Sequence, residues 1–286
     1  IFSQFSQVTK GVLLSDLFYQ ANWAASDARL AYEYVQNHLA EFGENIHLLL
    51  DQLIWQALLR GDLALLQQLE QYCLDEQRGT HGFAMSIMQA DYAEALAQID
   101  IISKTIKKST GKRKVHLSDV LGLLYTVCLL AIDSADNRKK LKEQVDDGIK
   151  QNDAFTYYLL ESLSNHLAKG VPLTPKRFVL QRELGVETLF ECLALFWESE
   201  PVREDAHQRL RAADQLYRNN GYHWLAAQAD ALLIKHYGDA PQISAWQAQH
   251  TITPLYKALQ REESWQRALT ALSQLNLNTN NDSNKV

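Results

Sequence analysis

The chain contains 286 residues, and its 45 Leu and 31 Ala far outnumber its 12 Val and 13 Ile. Because Leu and Ala favour helices while β-branched residues favour strands, the composition predicts an all-α protein. With 12 Gly and 5 Pro, turn residues are too few for a sandwich or barrel of many short strands, and the net charge of −6 argues against a nucleic-acid footprint over the whole surface.

The first clear helix is predicted over residues 45–60, where apolar residues recur at helical spacing and form one stripe. Asn45 is the expected N-cap, and Gly61 is expected to end the helix in the left-handed conformation. Asp62 is expected to cap the next helix. The apolar face of that second helix contains Leu65, Leu69, Tyr72 and Cys73.

A third helix is predicted from Asp91, with Asp91 and Glu94 forming an approximate capping box. Its apolar face contains Tyr92, Ala95, Leu96, Ile99 and Ile102. Further helices are predicted over residues 116–132, 152–169, 186–199, 203–219, 221–237 and 252–275. The helix at 203–219 is predicted from apolar residues that are in register on one face, namely Val202, Ala206, Leu210, Ala213 and Tyr217.

Helical hairpins are predicted to repeat along the chain. Gly43, Gly61 and Gly79 are spaced 18 residues apart, which fits one helix plus a short turn, so that two helices occupy about 36 residues. The hairpin repeats of this class share a pattern in which a small residue at the turn is followed by a large apolar residue and then by Ala. Degenerate versions of this pattern occur at 61–66, 90–96, 221–227 and 264–269. The pattern predicts a tetratricopeptide-like antiparallel array of helical hairpins, an α-solenoid. The alternative is a set of unrelated hairpins with a small residue at each turn.

The prolines and the chain ends suggest how the chain is divided. All five prolines lie at or beyond residue 172, so the segment 170–175 is the expected boundary between a regular array, 1–171, and a less regular helical subregion, 172–275. Five of the last 11 residues are Asn, which is typical of a linker-like tail at 276–286. Together with an initial Ile, this tail leads us to expect a piece of a longer polypeptide.

The cysteines and the longest apolar run favour a cytoplasmic protein without a membrane span. Cys73, Cys128 and Cys192 are widely dispersed, which is typical of buried free thiols in a reducing compartment rather than of disulfides or a zinc site. The apolar run at 120–132 is 13 residues long and is bounded by Asp119 and Asp133. A span needs about 18–20 residues, so this run predicts a core helix.

Motifs of catalysis are missing from the sequence. The string at 110–114 contains Gly-Lys, but it has neither the upstream Gly nor the following Ser or Thr of a phosphate-binding loop. The dinucleotide-binding, nucleophile-elbow and zinc-protease patterns do not occur, and no two histidines are spaced three or four apart. We therefore predict no catalytic, cofactor-binding or metal-binding residue.

One segment is strongly basic. Six cations and no acid occur between residues 104 and 114. They are Lys104, Lys107, Lys108, Lys112, Arg113 and Lys114. Such a density of positive charge predicts contact with nucleic-acid phosphates or with an acidic partner surface. The alternative is a solvated helix end whose lysines interact favourably with the helix dipole.

The region from 57 to 150 resembles an accessory helical region of bacterial Swi/Snf-type helicase-like ATPases. The similarity rests on Asp91-Tyr92 with Ala95-Leu96, on the turn Thr110–Val115 and on the apolar stretch Leu121–Tyr125. Ala90 stands where the family pattern has Gly. The resemblance implies that the motor domains lie outside this segment, and that the segment binds a protein partner or the motor of the same polypeptide.

Two other functions compete with this interpretation. The chain could be a standalone helical-repeat adaptor or transcriptional regulator with no motor attached. It could also be an all-α enzyme with a cleft that carries no recognisable motif, which would require converging polar side chains in a deep pocket.

Overall fold

The computed structural model describes residues 4–89, 91–110, 119–132, 134–137, 139–140, 143 and 206–237. These residues are helical, with no strand among them, which confirms the all-α prediction. The α-helices are α1 Gln7–Ala24, α2 Arg29–His38, α3 Leu50–Arg60, α4 Leu63–Leu69, α5 Asp75–Met88, α6 Tyr92–Thr110, α7 Asp119–Ala131, α8 Ala206–Asn219 and α9 His223–Tyr237. Two 3₁₀ segments, Leu39–Leu48 and Glu70–Tyr72, precede α3 and follow α4.

Helix α3 lies at the centre of the described residues. Every residue from Leu53 to Arg60 is buried, including the polar Gln56 and Arg60. Helices α1, α5 and α9 all pack against it. A helix that is buried on all sides occupies the middle of a core rather than its surface.

Two glycines allow α5 and α6 to approach closely. A Cβ atom at Gly79 would lie 2.8 Å from Cγ1 of Ile102, and one at Gly82 would lie 2.9 Å from Oε1 of Gln98. Gly79 therefore lies inside a helix at a packing contact. The prediction that Gly79 forms the third turn of an 18-residue period is therefore wrong. A glycine can be present because a neighbouring helix packs closely against it, and not only because the chain turns there.

The predicted turn at Gly61 is confirmed, and the same turn recurs at Gly221. At 57–62, the Gly61 N–H donates to the carbonyl three residues earlier at 2.9 Å, and the next N–H donates to the carbonyl five residues before it at 2.8 Å. At 217–222 the corresponding distances are 3.1 and 2.8 Å. Both glycines are left-handed, with φ of 78° and 77°. These bonds are those of a Schellman motif, which satisfies the last carbonyls of each helix.

The predicted helix starts are partly confirmed. Asp62 caps α4 by accepting from the backbone N–H of Leu65 at 2.9 Å, and Asp91 accepts from that of Glu94 at 3.0 Å. The N-cap prediction for Asn45 is wrong. Residues 39–48 form a 3₁₀ segment that is kinked at Gly43, with φ 50° and ψ −131°, so α3 begins only at Leu50.

The predicted apolar faces of two helices and the predicted extent of a third are confirmed. Ala95, Ile99 and Ile102 are buried on α6, and Leu210, Ala213 and Tyr217 are buried on α8, while α7 spans most of the predicted helix at 116–132. The α8–α9 hairpin belongs to the same core as α1–α7. The helices predicted at 152–169, 186–199 and 252–275, the boundary at 170–175 and the tail at 276–286 lie outside the described residues.

Within the described part of the chain, no helix combines the length and the apolar character that crossing a bilayer requires.

Candidate functional site

The basic segment begins on the exposed side of α6. Lys104, Lys107 and Lys108 are exposed, and at 100° per residue Lys104 and Lys108 lie on the side of α6 opposite the buried Ile99 and Ile102, with Lys107 at the edge of that side. Lys112, Arg113 and Lys114 lie outside the described residues. The structure therefore places three of the six predicted binding residues on a common solvent-facing surface.

These three lysines keep their charges available. None of them forms an ion pair with another described residue, although Asp100 lies one turn earlier on the same face. Lys107 and Lys108 lie in the last turn of α6, where the helix dipole favours positive charge. A surface of this kind attracts a polyanion without needing a pocket.

A second polar cluster is buried where α3 meets the α8–α9 turn. Arg60 is only 6% exposed, and its guanidinium carbon lies 4.8 Å from the ring centroid of Tyr32 and 4.5 Å from that of Tyr222. Its Nε donates to Oε1 of Gln56 at 3.0 Å, and its Nη1 donates to the carbonyl of Asn220 at 3.0 Å. Nη2 is buried and has no hydrogen-bond partner. Stacking between two rings stabilises this buried cation.

Hydrogen bonds extend this cluster from α3 to α1. Nε2 of Gln56 donates to Oδ1 of Asn22 at 2.8 Å and to the hydroxyl of Tyr222 at 3.1 Å. That hydroxyl lies 2.9 Å from the carbonyl of Ser26, to which it donates. We call Asn22, Gln56, Arg60, Asn220 and Tyr222 the Arg60 junction. It joins Asn220 and Tyr222 to residues of α1 and α3 that lie about 160 positions or more earlier in the sequence. The junction therefore fixes the α8–α9 turn against α1 and α3.

Tyr32 connects the Arg60 junction to the cap of α4. Its hydroxyl donates to Oδ2 of Asp62 at 2.9 Å, while Oδ1 of the same carboxylate caps α4. Burial, followed by the negative charge of Asp62, raises the pKa of Tyr32 well above its ordinary value. Tyr32 therefore remains a neutral hydrogen-bond donor.

A third cluster joins α8 and α9 through two carboxylates and one arginine. Nε of Arg218 donates to both carboxylate oxygens of Asp214, at 2.9 and 3.0 Å, and Nη2 of Arg218 donates to Oδ2 of Asp230. Asp230 is fully buried. Burial and the nearby charge of Asp214 raise the pKa of Asp230 to about 8. We call Asp214, Arg218 and Asp230 the carboxylate cluster.

The described cysteines do not favour redox or nucleophilic chemistry. Cys73 and Cys128 are free and buried, as the sequence predicted, while Cys192 lies outside the described residues. Burial raises the pKa of Cys73 to about 11 and also raises that of Cys128, which disfavours the reactive thiolate. In the ranges that the structure describes, no three His, Cys, Asp or Glu side chains are grouped so that they could hold a metal ion.

The two buried clusters were not identified from the sequence, although each leaves a signal there. Gln52, Gln56 and Arg60 form a polar stripe at i, i+4 and i+8 within a helix whose other residues, apart from Asp51, are apolar. Asp230 is a lone acid in the apolar run of α9, and Asp214 precedes Arg218 by four residues, the spacing of an ion pair on one helix face.

Comparison with known proteins returns no family model that matches this chain, and no significant match among curated proteins or solved structures.

Proposed function

We propose that this chain is a non-catalytic interaction and regulatory region of a Swi/Snf-like ATPase, built as a tetratricopeptide-like array of helical hairpins. Its binding surface is the basic segment from Lys104 to Lys114, and its ligand is the phosphate backbone of duplex nucleic acid. An acidic protein surface is the other ligand that the same charges could recognise.

The exposed lysines of α6 are the observation that supports this proposal most. Lys104, Lys107 and Lys108 lie together on one helix face, free of ion pairs with other described residues, and three more cations follow within six positions. Each phosphate that they neutralise would release condensed counterions, which drives binding at low salt. The surrounding chain carries net negative charge, so binding would be confined to this segment.

Repeated helix reversals support the hairpin-array part of the proposal. The turns at 57–62 and 217–222 share the same hydrogen bonds, and the Asp91 N–H closes a similar bond to the carbonyl of Ser86 at 2.9 Å. In an array of stacked hairpins, the exposed faces form an extended surface for a partner segment. The motor domains of the parent ATPase would then be encoded elsewhere in the same reading frame, so helicase motifs in the flanking sequence are expected.

Replacing the three described lysines tests the binding surface. In the variant Lys104→Gln/Lys107→Gln/Lys108→Gln, we expect weaker binding to a fluorescent DNA duplex, measured by anisotropy between 50 and 200 mM salt. The slope of log K against log salt should become shallower by about 2 to 3, because each lost phosphate contact removes about 0.9 from that slope. Circular dichroism should show an unchanged helical content.

Lys139 and Lys140 supply a matched control because both are exposed but lie outside the basic segment. The variant Lys139→Gln/Lys140→Gln should bind duplex as the parent does. Equal losses in both variants would show a non-specific charge effect and contradict the proposed surface. Unchanged duplex binding in the triple variant, together with lost binding to an acidic protein partner, would assign the surface to the acidic partner instead.

A further inference from the structure

The carboxylate cluster contains more acid than base. Asp214 and Asp230 share the guanidinium of Arg218, so the fully ionised cluster carries a net charge of −1, with Asp230 buried and the other two side chains partly buried. We propose that this cluster holds one extra proton in the folded chain, and that release of the proton loosens the packing of the α8–α9 hairpin on α3. This inference goes beyond the proposed function and does not depend on it.

The geometry of the two carboxyls favours a bound proton. Asp230 is fully buried, its Oδ2 accepts from Arg218, and its Oδ1 has no hydrogen-bond partner. Asp214 and Asp230 both accept from the guanidinium of Arg218, which holds the two carboxyls close together. Two carboxylates at such short range repel each other, so binding of a proton to one of them is favoured. Protonation leaves one carboxylate against one guanidinium, which makes the buried cluster neutral.

Among the side chains that the structure describes around Asp230, Arg218 alone brings a positive charge against the two carboxylates. From α8, the described charges that act on Asp230 are those of Asp214 and Arg218. From α9 itself, His223 has its pKa lowered by burial and by the charges of Arg218 and Arg60, so its imidazole is neutral at pH 7. From α3, Arg60 acts on His223 and is held by the Arg60 junction. Burying an uncompensated carboxylate is costly.

The cluster is placed where its charge affects the docked hairpin. Asp230 lies on the same helix as the buried Trp224 and Leu225, and α9 packs directly on α3. Arg218 also belongs to the turn, because its carbonyl accepts from the Gly221 N–H at 3.1 Å. An ionised Asp230 therefore gains solvation when the hairpin opens, which favours opening.

The direction of the pH dependence follows from linkage. The pKa of Asp230 is raised to about 8 in the folded chain, whereas an exposed Asp titrates near 4. Between these values the docked hairpin holds a proton that the open hairpin has released. Docking is therefore fully stabilised below about pH 4, and it weakens as the pH rises through about 8.

Hydrogen exchange of the α8–α9 amides at several pH values tests the proposal on the full chain. After correction for intrinsic rates, the protection factors should fall about tenfold per pH unit between pH 5 and 7, and they should level off above pH 8. In Asp230→Asn, which mimics the neutral acid, protection should be independent of pH over this range. The control Asp75→Asn, at a side chain that is fully exposed, should keep the slope of the parent.

If the protection factors of Asp230→Asn fall with pH as steeply as those of the parent chain, the proposal is overturned. If that variant does not fold, the ¹³C carboxyl resonance of Asp230 in the parent chain gives the answer directly. A titration midpoint two or more pH units above that of exposed Asp residues supports the proposal, and a midpoint near 4 overturns it.

Discussion

Two arginines of the described core, the buried Arg60 and the partly buried Arg218, are accommodated in different ways. Arg60 donates to neutral oxygens and lies between two tyrosine rings, whereas Arg218 donates to two carboxylates. In the Arg60 junction the cation is held by neutral groups, and the excess charge is positive. In the carboxylate cluster the excess charge is negative when both acids are ionised, and a bound proton removes it. An arginine thus leaves an excess positive charge in the Arg60 junction, whereas the acids around the other arginine leave an excess negative charge in the ionised carboxylate cluster.

The difference predicts how each arginine contributes to stability. Removing Arg218 would leave the buried Asp230 and the partly buried Asp214 without their guanidinium, which is far more costly than leaving neutral groups unpaired. Removing Arg60 would leave Oε1 of Gln56 and the carbonyl of Asn220 without this donor, and it would also remove the side chain on which two rings stack. The stability contributed by the Arg60 junction should therefore depend on the shape of the side chain at position 60. The stability contributed by the carboxylate cluster should depend on pH.

The largest effect is expected for Arg218→Ala. We expect it to lower the free energy of unfolding by about 3–5 kcal/mol at pH 7, because the buried carboxylates lose their guanidinium. At pH 5 the loss should be clearly smaller, since protonation neutralises part of the stranded charge. Urea denaturation at both pH values measures this, and an equal loss at pH 5 and pH 7 would contradict the charge argument.

A smaller effect is expected for Arg60→Ala. It should lower the free energy of unfolding by about 2–3 kcal/mol, from two lost hydrogen bonds, lost stacking and the cavity that remains. Because its acceptors are neutral, this loss should be the same at pH 5 and pH 7. Arg60→Lys is the matched control. It keeps the charge but loses the planar fork, so we expect most of the loss to persist, and full rescue by Lys would show that charge alone matters.

The smallest of these effects concerns Gly221, whose turn covers Arg60. An added Cβ would lie 2.9 Å from Nη1 of Arg60, and φ of 77° strains any other residue. Gly221→Ala should therefore lower the free energy of unfolding by about 2 kcal/mol, of which about 1 kcal/mol is backbone strain. In the Arg60→Ala background only the strain should remain, so a double-mutant cycle separates the two contributions. A cost that is the same in both backgrounds would show that the contact with Arg60 is unimportant.

Local features of the fold could be predicted from the sequence, because they depend on neighbouring residues. The apolar faces of α6 and α8, the end of α3 at Gly61 and the cap at Asp62 all follow from helical spacing and short-range hydrogen bonds. Gly79 shows where this reasoning fails. Its spacing matched that of Gly61, yet its conformation is set by the approach of Ile102 on the next helix.

Long-range features of the site could not be predicted in the same way. The charge of the basic segment is visible in the sequence, and the structure shows that its first three lysines, Lys104, Lys107 and Lys108, are exposed. The partners of Arg60 are different, because Asn220 and Tyr222 lie about 160 positions away and no local pattern pairs them with α3. The raised pKa of Asp230 likewise depends on burial against α8.

The sequence separation within the Arg60 junction has a consequence for the order of folding. The α3–α4, α5–α6 and α8–α9 hairpins need only local contacts, which form within microseconds to milliseconds. The bond from Arg60 to the carbonyl of Asn220 closes a loop of about 160 residues, whose chain entropy must be overcome first. We therefore expect the hairpins to form early and the Arg60 junction to close last, as a late kinetic step.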